Sequence, residues 1–461
     1  MLEIVKNLQI YAEEQPNVIA LQFDDEQLTY AEFYEAIKEA LSDYQGLLPA
    51  TRVGLLSESP MTNMIHYFAV LMQDAVPCFL DASWPTSTID QLINTYNIQY
   101  IVKNDAQLIP TQSLNLKDSF FEEQVQIHNL LHIGFTSGTT GLPKAYYRNE
   151  PSWLASYIEN EKLLHHDEAI FIAPGPLAHS LSLYTCIYAL WSGRTFIGQR
   201  HFEASQLMQC IQRQSKSIAL FLVPTMLSQL IHMPNKTKTL TSILSSGAKL
   251  SSQLFQDVTT TFPQANIIEF FGTSEASFIS YNFNQTAPTD SVGQLFPNVT
   301  YQLEEQDKDQ IGLLHVKSNM TFSGYVNRKV IQPESWIETG DYAYIKDQYL
   351  YLVSRKSERL IIGGKNIYPT AVEQRVKQLD GIDEAVMIGE PHTRFGEIAV
   401  LVYMGHRELD YLSLRRYLLQ TLSRYEVPSK LVKVSALPFT NSGKVARGTL
   451  RELYLKGELE V

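Results

Sequence analysis

The sequence predicts an α/β protein with a large N-terminal domain of mixed and parallel sheets flanked by helices, followed by a small α+β C-terminal domain. The chain has 461 residues, enough for a large core and for more than one domain. In the first half, short apolar runs alternate with amphipathic stretches, which is typical of β-α-β units. After residue 299, short strands separated by Gly, Asp and Asn turns indicate a small antiparallel β subdomain.

The alternation is clearest between residues 52 and 102, and similar strands recur further along the chain. The pattern there predicts strands at 52–56, 75–80 and 99–102 and helices at 62–72 and 87–96. Later apolar runs predict strands at 218–223, 243–245 and 267–271, and antiparallel strands at 313–316, 342–345 and 349–353.

Beyond residue 355 the pattern predicts a separate small domain. We expect strands at 384–389 and 399–403 and helices at 370–378, 411–423 and 447–454. The predicted organisation is an N-terminal domain at 1–354, a hinge at 355–357 and a C-terminal domain at 358–461.

The composition argues against several classes of protein. There are 49 acidic and 37 basic residues, giving a net charge of -12, which is unsuited to a general nucleic-acid binder. The three cysteines are an odd number without metal-ligand spacing, so neither a disulfide framework nor a zinc site is indicated. The N-terminus lacks the apolar stretch of a signal peptide, and Gln73 and Asp74 interrupt the longest apolar neighbourhood. We therefore expect a cytoplasmic protein without stable membrane insertion.

A loop at 136–144 combines hydroxyl side chains and glycines with a lysine. Small residues let backbone N–H groups approach a phosphate, and Lys144 adds positive charge. An ordinary P-loop is disfavoured, because Pro143 stands where that motif has glycine and no Ser or Thr follows the lysine. Taken alone, the loop fits a polar surface turn as well as a phosphate site. A second loop at 437–447 carries Lys444 before a predicted helix, and the two loops together suggest a divided ATP site.

Five ordered motifs resemble those of the acyl-adenylate-forming enzymes, which include acyl-CoA synthetases, peptide-synthetase adenylation domains and luciferases. The resemblance spans nearly the whole chain and is closest in kind to fatty-acid:CoA ligases. Its motifs are the 136–144 loop, the segment 271–275, the segment 338–341, Ser354 with Arg355, and Gly443 with Lys444.

The resemblance implies a two-step reaction with ATP, Mg²⁺ and coenzyme A. A carboxylate attacks the α-phosphate of ATP, giving an acyl-adenylate and pyrophosphate, and a thiol then displaces AMP. A carboxylate needs this activation because it is a poor electrophile without a good leaving group. The first step brings an anion toward a polyanion, so positioned cations and backbone donors matter most.

The resemblance also implies the residues that hold the nucleotide. The 136–144 loop would bind the β- and γ-phosphates, Phe271 would stack on adenine, and Asp341 would accept hydrogen bonds from the ribose hydroxyls. The implied cofactor-binding residues are Thr136, Ser137, Gly138, Thr139, Thr140, Gly141, Lys144, Ser246, Gly247, Ala248, Phe271, Gly272, Asp341, Arg355, Gly363 and Gly364.

Four residues are implied to act in catalysis. Lys444 would touch the substrate carboxylate and the α-phosphate as they approach, a bridging role that suits a mobile ammonium group. Glu275, next to Ser274, matches the carboxylate associated with magnesium, and Thr140 would contact the metal-bound polyphosphate. His179 matches a residue that gates the carboxylate pocket in acyl-CoA and aryl-CoA synthetases, although a lone histidine is as often structural.

The implied acid pocket contains Ser180, Leu181, Tyr184, Val223 and Met226. Amino-acid-activating relatives hold the substrate ammonium with an aspartate where this chain has Ser180. A buried ammonium without that partner would be costly, which favours a plain carboxylic acid. We expect a fatty acid, with an aryl acid such as a succinylbenzoate as the alternative.

Family members rotate the small domain between the two steps, and Arg355 and Ser357 would lie at the hinge. The Gly363–Gly364 segment would then help to form the thiol tunnel. Coenzyme A is the simplest acceptor, and a separate acyl carrier protein is the alternative. The sequence differs from the family pattern at Phe271, at Ser357 and at 146–150. These differences motivate an alternative hypothesis, that the protein is a nucleotide-binding regulatory protein with little turnover.

Overall fold

The computed structural model describes residues 1–104, 106–112, 129–136, 142–234, 237–328, 330–332, 334–439 and 445–459. Within these ranges the chain forms a large N-terminal α/β unit and a smaller C-terminal α+β unit, as the sequence predicts. The described residues build three sheets, of thirteen, six and five strands.

The helices alternate with the strands through most of the chain. They are α1 (Glu3–Glu14), α2 (Tyr30–Ala40), α3 (Pro60–Met72), α4 (Thr86–Thr95), α5 (Glu150–Glu161), α6 (Ser180–Trp191), α7 (Ala204–Arg213), α8 (Pro224–Leu230), α9 (Ser252–Thr261), α10 (Pro369–Lys377), α11 (Tyr411–Leu418) and α12 (Arg447–Lys456), with a 3₁₀ turn at Leu41–Tyr44.

The strands of the N-terminal unit make the two larger sheets. They are β1 (Ile19–Phe23), β2 (Glu26–Thr29), β3 (Arg52–Leu55), β4 (Val76–Phe79), β5 (Tyr100–Val102), β6 (Leu108–Pro110), β7 (Leu130–Thr136), β8 (Lys144–Asn149), β9 (Ile170–Ile172), β10 (Thr195–Gly198), β11 (Ile218–Leu222), β12 (Leu240–Ser245), β13 (Asn266–Thr273), β14 (Ser277–Phe283), β15 (Gln294–Leu295), β16 (Thr300–Glu304), β17 (Gly312–Lys317), β18 (Ile337–Lys346) and β19 (Tyr349–Arg355). The C-terminal unit has β20 (Leu360–Ile362), β21 (Lys365–Ile367), β22 (Glu384–His392), β23 (Gly396–Met404) and β24 (Lys430–Lys433).

The thirteen-stranded sheet has a parallel centre and an antiparallel end. Its order is β16-β17-β18-β19-β15-β14-β13-β12-β11-β9-β10-β1-β2. The strands from β13 through β12, β11, β9 and β10 to β1 are parallel, and β14 to β19 pair antiparallel. The predicted antiparallel strands therefore extend one end of the large sheet.

The six-stranded sheet has the order β6-β5-β3-β4-β7-β8. Its last two strands, β7 and β8, flank the 136–144 loop. Its central strands are buried, and α3 carries a long apolar surface that includes Tyr67 and Phe68, both fully buried. These two aromatic residues belong to the largest apolar cluster of the protein, which also contains Phe171 and Tyr188 from the region of the large sheet. Shared packing joins the two sheets into one core.

The C-terminal sheet is covered on both faces. Val372 of α10 and Leu414 of α11 pack in the cluster that contains Leu401, whereas Leu450 of α12 packs on the opposite face with Val400. Successive residues of β23 point to opposite faces, so one strand supplies both clusters. The small unit thus has its own core.

One predicted helix is shorter than expected. The helix expected at 411–423 ends at Leu418, after which Gln420 and Thr421 donate backbone hydrogen bonds to carbonyls three residues earlier. The apolar pattern continues through these turns, because Leu422 still packs against the core of the small unit. Among the described residues, no helix is long and apolar enough to cross a membrane.

Candidate active site

The candidate site lies where three neighbouring parallel strands end. Val223 follows β11, Ser246 and Gly247 follow β12, and Thr273 ends β13. The carboxyl ends of parallel strands meet at one edge of a sheet, the usual place for a ligand site in α/β proteins. Residues from three distant parts of the sequence are therefore brought together by sheet register.

A cavity of about 240 Å³ opens at this edge. Four of the predicted acid-pocket residues line it: Ser180, Leu181, Tyr184 and Val223. Met226 is not among the lining residues and packs against the cluster formed by α7, α8 and α9.

The cavity has an exposed mouth and a buried inner wall. Ser180 and Gly247 are exposed, whereas Trp153, Tyr184 and Phe278 are at most 7% exposed. The Tyr184 ring lies edge-on to Trp153 and to Phe278, with centroid separations of 5.5 and 5.1 Å. The inner wall is thus largely aromatic.

Two glycines allow the backbone to approach closely here. A Cβ atom on Gly272 would lie 2.0 Å from the carbonyl oxygen of Ser277, so β13 could not turn into β14 with any larger residue at this position. Gly247 has φ +87°, a conformation that favours glycine, and it leaves the mouth open beside Ser246 and the exposed Ala248. Both glycines line the cavity.

Phe271 does not line the cavity, although its neighbours Phe270 and Gly272 do. Successive side chains of a strand point to opposite faces, and Phe271 is half-buried against the main core, opposite Ser280 of β14. That Phe271 stacks on adenine stays a prediction, and the adenine would then lie on the face of β13 that points away from the cavity.

Asp341 and Arg355 face one another across β18 and β19. They are partners in the strand register, and Arg355 Nε lies 2.9 Å from Asp341 Oδ1. The Asp341 side chain is 6% exposed and that of Arg355 49% exposed, so the arginine holds a buried carboxylate from the solvent side. Gly340, which precedes Asp341 within β18, has φ +76°, a conformation that favours glycine. The pair lies at the end of the last strand before the predicted hinge.

Tyr325 connects the first motif to the predicted metal site. Its hydroxyl donates a hydrogen bond to Glu275 Oε1, and Lys144 Nζ lies 5.8 Å from its ring centroid. Burial and the neighbouring carboxylate raise the pKa of Tyr325, so the hydroxyl stays protonated and remains a donor. One side chain thus positions both a predicted phosphate-binding lysine and a predicted metal ligand.

We expect Tyr325→Phe to weaken magnesium-dependent ATP binding. The substitution removes the donor to Glu275 and keeps the ring beneath Lys144. The Mg²⁺ concentration that half-saturates binding of a fluorescent ATP analogue should rise about tenfold. Tyr301→Phe, in exposed strand β16, is the matched control. An unchanged Mg²⁺ dependence in Tyr325→Phe would remove the tyrosine from the site.

Arg148 was not predicted as a site residue. It is 2% exposed and lines the cavity, and its guanidinium donates to the backbone carbonyls of Ser274 and Met320 and to Ser152 Oγ. Ser274 is therefore tethered through its carbonyl group. Trp153 and Phe278 were also missed, because buried aromatic residues on regular elements are usually core. Tyr325 was missed because it lies outside the helices and strands and carries no local signal.

His179 and Asp81 lie close together beside the start of α6. The distance from His179 Nε2 to Asp81 Oδ2 is 3.6 Å, and the His179 side chain is 60% exposed. Burial opposes ionisation of Asp81, yet hydrogen bonds from His179 and Ser83 outweigh it and lower the pKa of Asp81 to about 2. His179 does not line the cavity in this conformation.

Several predicted residues lie outside the described ranges or far from the cavity. Ser137, Gly138, Thr139, Thr140, Gly141 and Lys444 lie outside the described residues. The flanks of the lysine segment are held together, since Phe439 bridges Val445 and Ala446 N donates to Pro438 O over 2.8 Å.

The C-terminal unit contains the predicted glycine turn and also Arg447, which was not among the predicted site residues. Gly363 and Gly364, with φ +58° and +74°, form the two-residue turn between β20 and β21, as a tight hairpin requires. Arg447, just after the lysine segment, donates to Glu373 Oε2 over 3.0 Å and to Met387 O over 2.7 Å. The base of this segment is thus fixed to the small unit.

The donor set fits magnesium better than a metal held wholly by protein. Among the described residues, no cluster of three His, Cys, Asp or Glu side chains could hold a metal ion. Glu275 supplies one carboxylate, and Mg²⁺ in nucleotide sites is usually bound by one or two carboxylates together with phosphates and waters.

Two family models match the chain. The model described as AMP-binding enzyme matches residues 8–326, and that described as AMP-binding enzyme C-terminal domain matches residues 371–444. A protein of Staphylococcus haemolyticus, VraA, named as a candidate long chain fatty acid-CoA ligase, is 61% identical over 461 residues, which is all of both chains.

Solved structures share the fold at low identity. ATP-bound MatB from Rhodopseudomonas palustris superposes with a TM-score of 0.82 at 20% identity, over 99% of this chain and 100% of that one. The o-succinylbenzoate CoA synthetase MenE from Bacillus subtilis, in complex with the acyl-adenylate intermediate OSB-AMP, gives 0.81 at 20% identity, over 98% of each chain. The predicted fold is confirmed by these likenesses.

Proposed function

This chain belongs to the family of AMP-binding enzymes, and we propose that it is an AMP-forming acid:CoA ligase acting on a fatty acid. The observation that carries the proposal is the cavity at the carboxyl ends of β11, β12 and β13, which adjoins the residues predicted to bind nucleotide. The description of the Staphylococcus haemolyticus relative supports the choice of acid.

In the first step, a carboxylate oxygen of the acid forms a bond to the α-phosphorus of ATP, and the bond to the bridging oxygen of pyrophosphate breaks. In the second step, the sulfur of coenzyme A bonds to the acyl carbon, and AMP leaves with that carboxylate oxygen. The thiol proton passes to a base or to water. No oxidant or reductant is needed.

The nucleotide would lie at the exposed mouth of the cavity. Asp341 can accept hydrogen bonds from both ribose hydroxyls, and Arg355 orients that carboxylate. Lys144 lies at the start of β8, where it follows the predicted phosphate loop. Glu275 would hold Mg²⁺, which supplies positive charge against the phosphates when bound.

The mouth of the cavity is suited to an acid that lacks an ammonium group. Ser180 begins α6 at the position where amino-acid-activating relatives carry an aspartate, and its neighbour His179 is already paired with Asp81. An α-ammonium group would meet no carboxylate from Ser180, which favours plain acids over amino acids.

We expect Ser180→Asp to weaken the use of plain acids. The new carboxylate would stand at the mouth of the cavity and repel the incoming acid, which should raise KM for the acid about tenfold. Ser180→Asn, which has the same size without charge, should change KM far less. Initial rates of pyrophosphate release at varied acid concentration measure both, and equal KM values would remove Ser180 from the acid path.

An aryl acid is the second candidate substrate. The aromatic inner wall formed by Trp153, Tyr184 and Phe278 favours it, because edge-on aromatic contacts add to the burial of a planar ring. A fatty acid would place a flexible alkyl chain against this inner wall, whereas an aryl acid would place a planar ring there.

The proposed acceptor is coenzyme A, which enters after adenylation. We propose that the unit at 358–461 rotates about 355–357 to replace Lys444 by the Gly363–Gly364 turn. Lys356 of the hinge forms an exposed ion pair with Glu338, 2.9 Å long, and such a pair is weak enough to break when the unit rotates. A separate carrier protein is the alternative acceptor. We place the reaction in the cytoplasm.

The testing experiment measures pyrophosphate release with Mg-ATP across fatty, aryl and amino acids, with and without coenzyme A. We expect release with one acid class, and acyl-CoA with AMP only when coenzyme A is added. Binding of ATP without release for any acid would contradict the proposal and favour a regulatory nucleotide-binding protein.

A further inference from the structure

The inner wall of the cavity carries a buried positive charge. Arg148 is 2% exposed and lines the cavity beside Trp153. Arginine remains protonated in proteins, so this group is a cation even though burial lowers the pKa of Arg148. A buried cation in the wall of an acid pocket is unexpected for a purely alkyl substrate.

The guanidinium has unused donors. Nη1 donates to Ser152 Oγ at 3.2 Å and to Met320 O at 3.0 Å, and Nη2 donates to Ser274 O. Nε finds no acceptor among the described residues. An arginine has five N–H donors, so Nε–H and one Nη2 proton are left.

No carboxylate within the described ranges lies within 4.0 Å of the Arg148 guanidinium. Two partly exposed arginines have such partners, since Arg194 pairs with Glu161 and Arg447 with Glu373. Glu275 acts on Arg148 through longer-range electrostatics only, and a buried charge without a close ionic partner is destabilising by several kcal/mol. A substrate anion that reached Arg148 would remove part of that cost.

The geometry decides which end of the acid reaches Arg148. The reacting carboxylate must meet ATP, and the nucleotide side is the exposed mouth at Ser246 and Gly247. Arg148 and Trp153 form the buried wall instead. Arg148 also contacts the carbonyl of Ser274, so its wall continues to the segment 271–275, and the anion that we expect it to bind is a second group, distinct from the carboxylate that is adenylated.

The volume of the cavity limits the length of the acid. About 240 Å³ is below the range of about 300–1,000 Å³ that is usual for sites of drug-sized ligands. A short acid fits this space better than a long alkyl chain, whose end would also be forced against the cation.

We propose that the acid is a short fatty acid with a second carboxylate, and that Arg148 is the residue that recognises it. This inference rests on the proposed function, narrows its substrate class, and departs from the long chain in the description of the Staphylococcus haemolyticus relative. The remaining Nη2 proton provides a donor for a carboxylate. Nε–H is inaccessible in this conformation and becomes the second donor of a two-bond pair only when the guanidinium turns toward the cavity.

The wild-type enzyme tests the proposal without any substitution. Adipic acid, its monomethyl ester and hexanoic acid have similar chains and differ in the charge at the far end. With pyrophosphate release as the readout, we expect kcat/KM for adipic acid to exceed that for the ester and for hexanoic acid roughly 10- to 100-fold. A benzoic acid with a carboxylate-bearing side chain, compared with its ester, tests the same charge on an aromatic scaffold.

Arg148→Met tests the residue itself. The substitution should abolish the preference for the diacid and leave hexanoic acid as good a substrate as adipic acid. Arg52→Met is the matched control, because Arg52 is 1% exposed, donates to Tyr96 O and Tyr147 Oη, and does not line the cavity. It should lower the rates with all acids by the same factor.

Three results would overturn the inference in distinguishable ways. A wild-type preference for hexanoic acid or the esters would reject the second carboxylate. A diacid preference that survives Arg148→Met would reject Arg148 as its origin. Absence of pyrophosphate release with every acid would reject the proposed function itself, and the inference with it.

Discussion

Lys444→Ala is expected to abolish acyl-adenylate formation while sparing transfer of the acyl group to coenzyme A. Lys444 lies outside the described residues, and its role comes from the motif that it shares with acyl-adenylate-forming enzymes. A cation that bridges carboxylate and α-phosphate stabilises charge as the two anions approach, so its loss should slow the first step roughly 100- to 1,000-fold. The second step has no such approach of anions.

The measurement compares both half-reactions in one preparation. Pyrophosphate release reports the first step, and thioester formation from a supplied acyl-adenylate reports the second. Lys456→Ala, in the last turn of α12, is the control for loss of a nearby exposed lysine, and both of its half-reactions should match the wild type. Equal loss of both half-reactions in Lys444→Ala would contradict the assigned role.

Glu275→Gln is expected to reduce adenylation roughly 10- to 100-fold and to raise the Mg²⁺ concentration required. The amide keeps the size of the side chain and can still accept the hydrogen bond from Tyr325, so the fold around it should be retained. What is lost is the negative charge that favours a divalent cation.

The check is a Mg²⁺ titration of two quantities, the rate of pyrophosphate release and the midpoint of thermal unfolding with ATP present. We expect Glu275→Gln to unfold like the wild type without Mg²⁺ and to need more Mg²⁺ for the same stabilisation by ATP. Glu35→Gln, at an exposed ion pair with Lys38 on α2, is the control. If Glu275→Gln and the wild type respond equally to Mg²⁺, the glutamate is not a metal ligand.

The parallel core of the fold could be read from the sequence because its strands are short, apolar and regularly spaced. The strands predicted at 218–223, 243–245 and 267–271 correspond to β11, β12 and β13, whose ends carry the candidate site. Local pattern was less informative at the end of α11. There, leucines continue beyond Leu418 at a spacing that suits both a helix and a series of turns packed on the same core.

The site was only partly predictable, and the missing part is on its inner wall. Ser180, Leu181, Tyr184 and Val223 could be named from family motifs near strand ends and helix starts, and all four line the cavity. Arg148 could not, because nothing local distinguishes a cavity-lining arginine from a structural one such as Arg52.

The segment at 146–150 did carry a signal, since it departs from the family pattern. Its meaning depends on contacts made across long stretches of chain, such as the hydrogen bond from Arg148 to Ser274, 126 residues away. Tyr325 likewise meets Glu275 only through the folding of two distant turns. Pairwise contacts of this kind are not encoded in periodicity or spacing.

The central claim is that a carboxylate oxygen of the acid becomes bonded to the α-phosphorus of ATP. Acid labelled with ¹⁸O in its carboxylate, incubated with Mg-ATP and coenzyme A, tests this claim by mass spectrometry of the products. The account predicts AMP that carries one ¹⁸O atom, because the oxygen that attacks phosphorus leaves with AMP when the thioester forms. Label in inorganic phosphate with formation of ADP, or AMP without label, would contradict it.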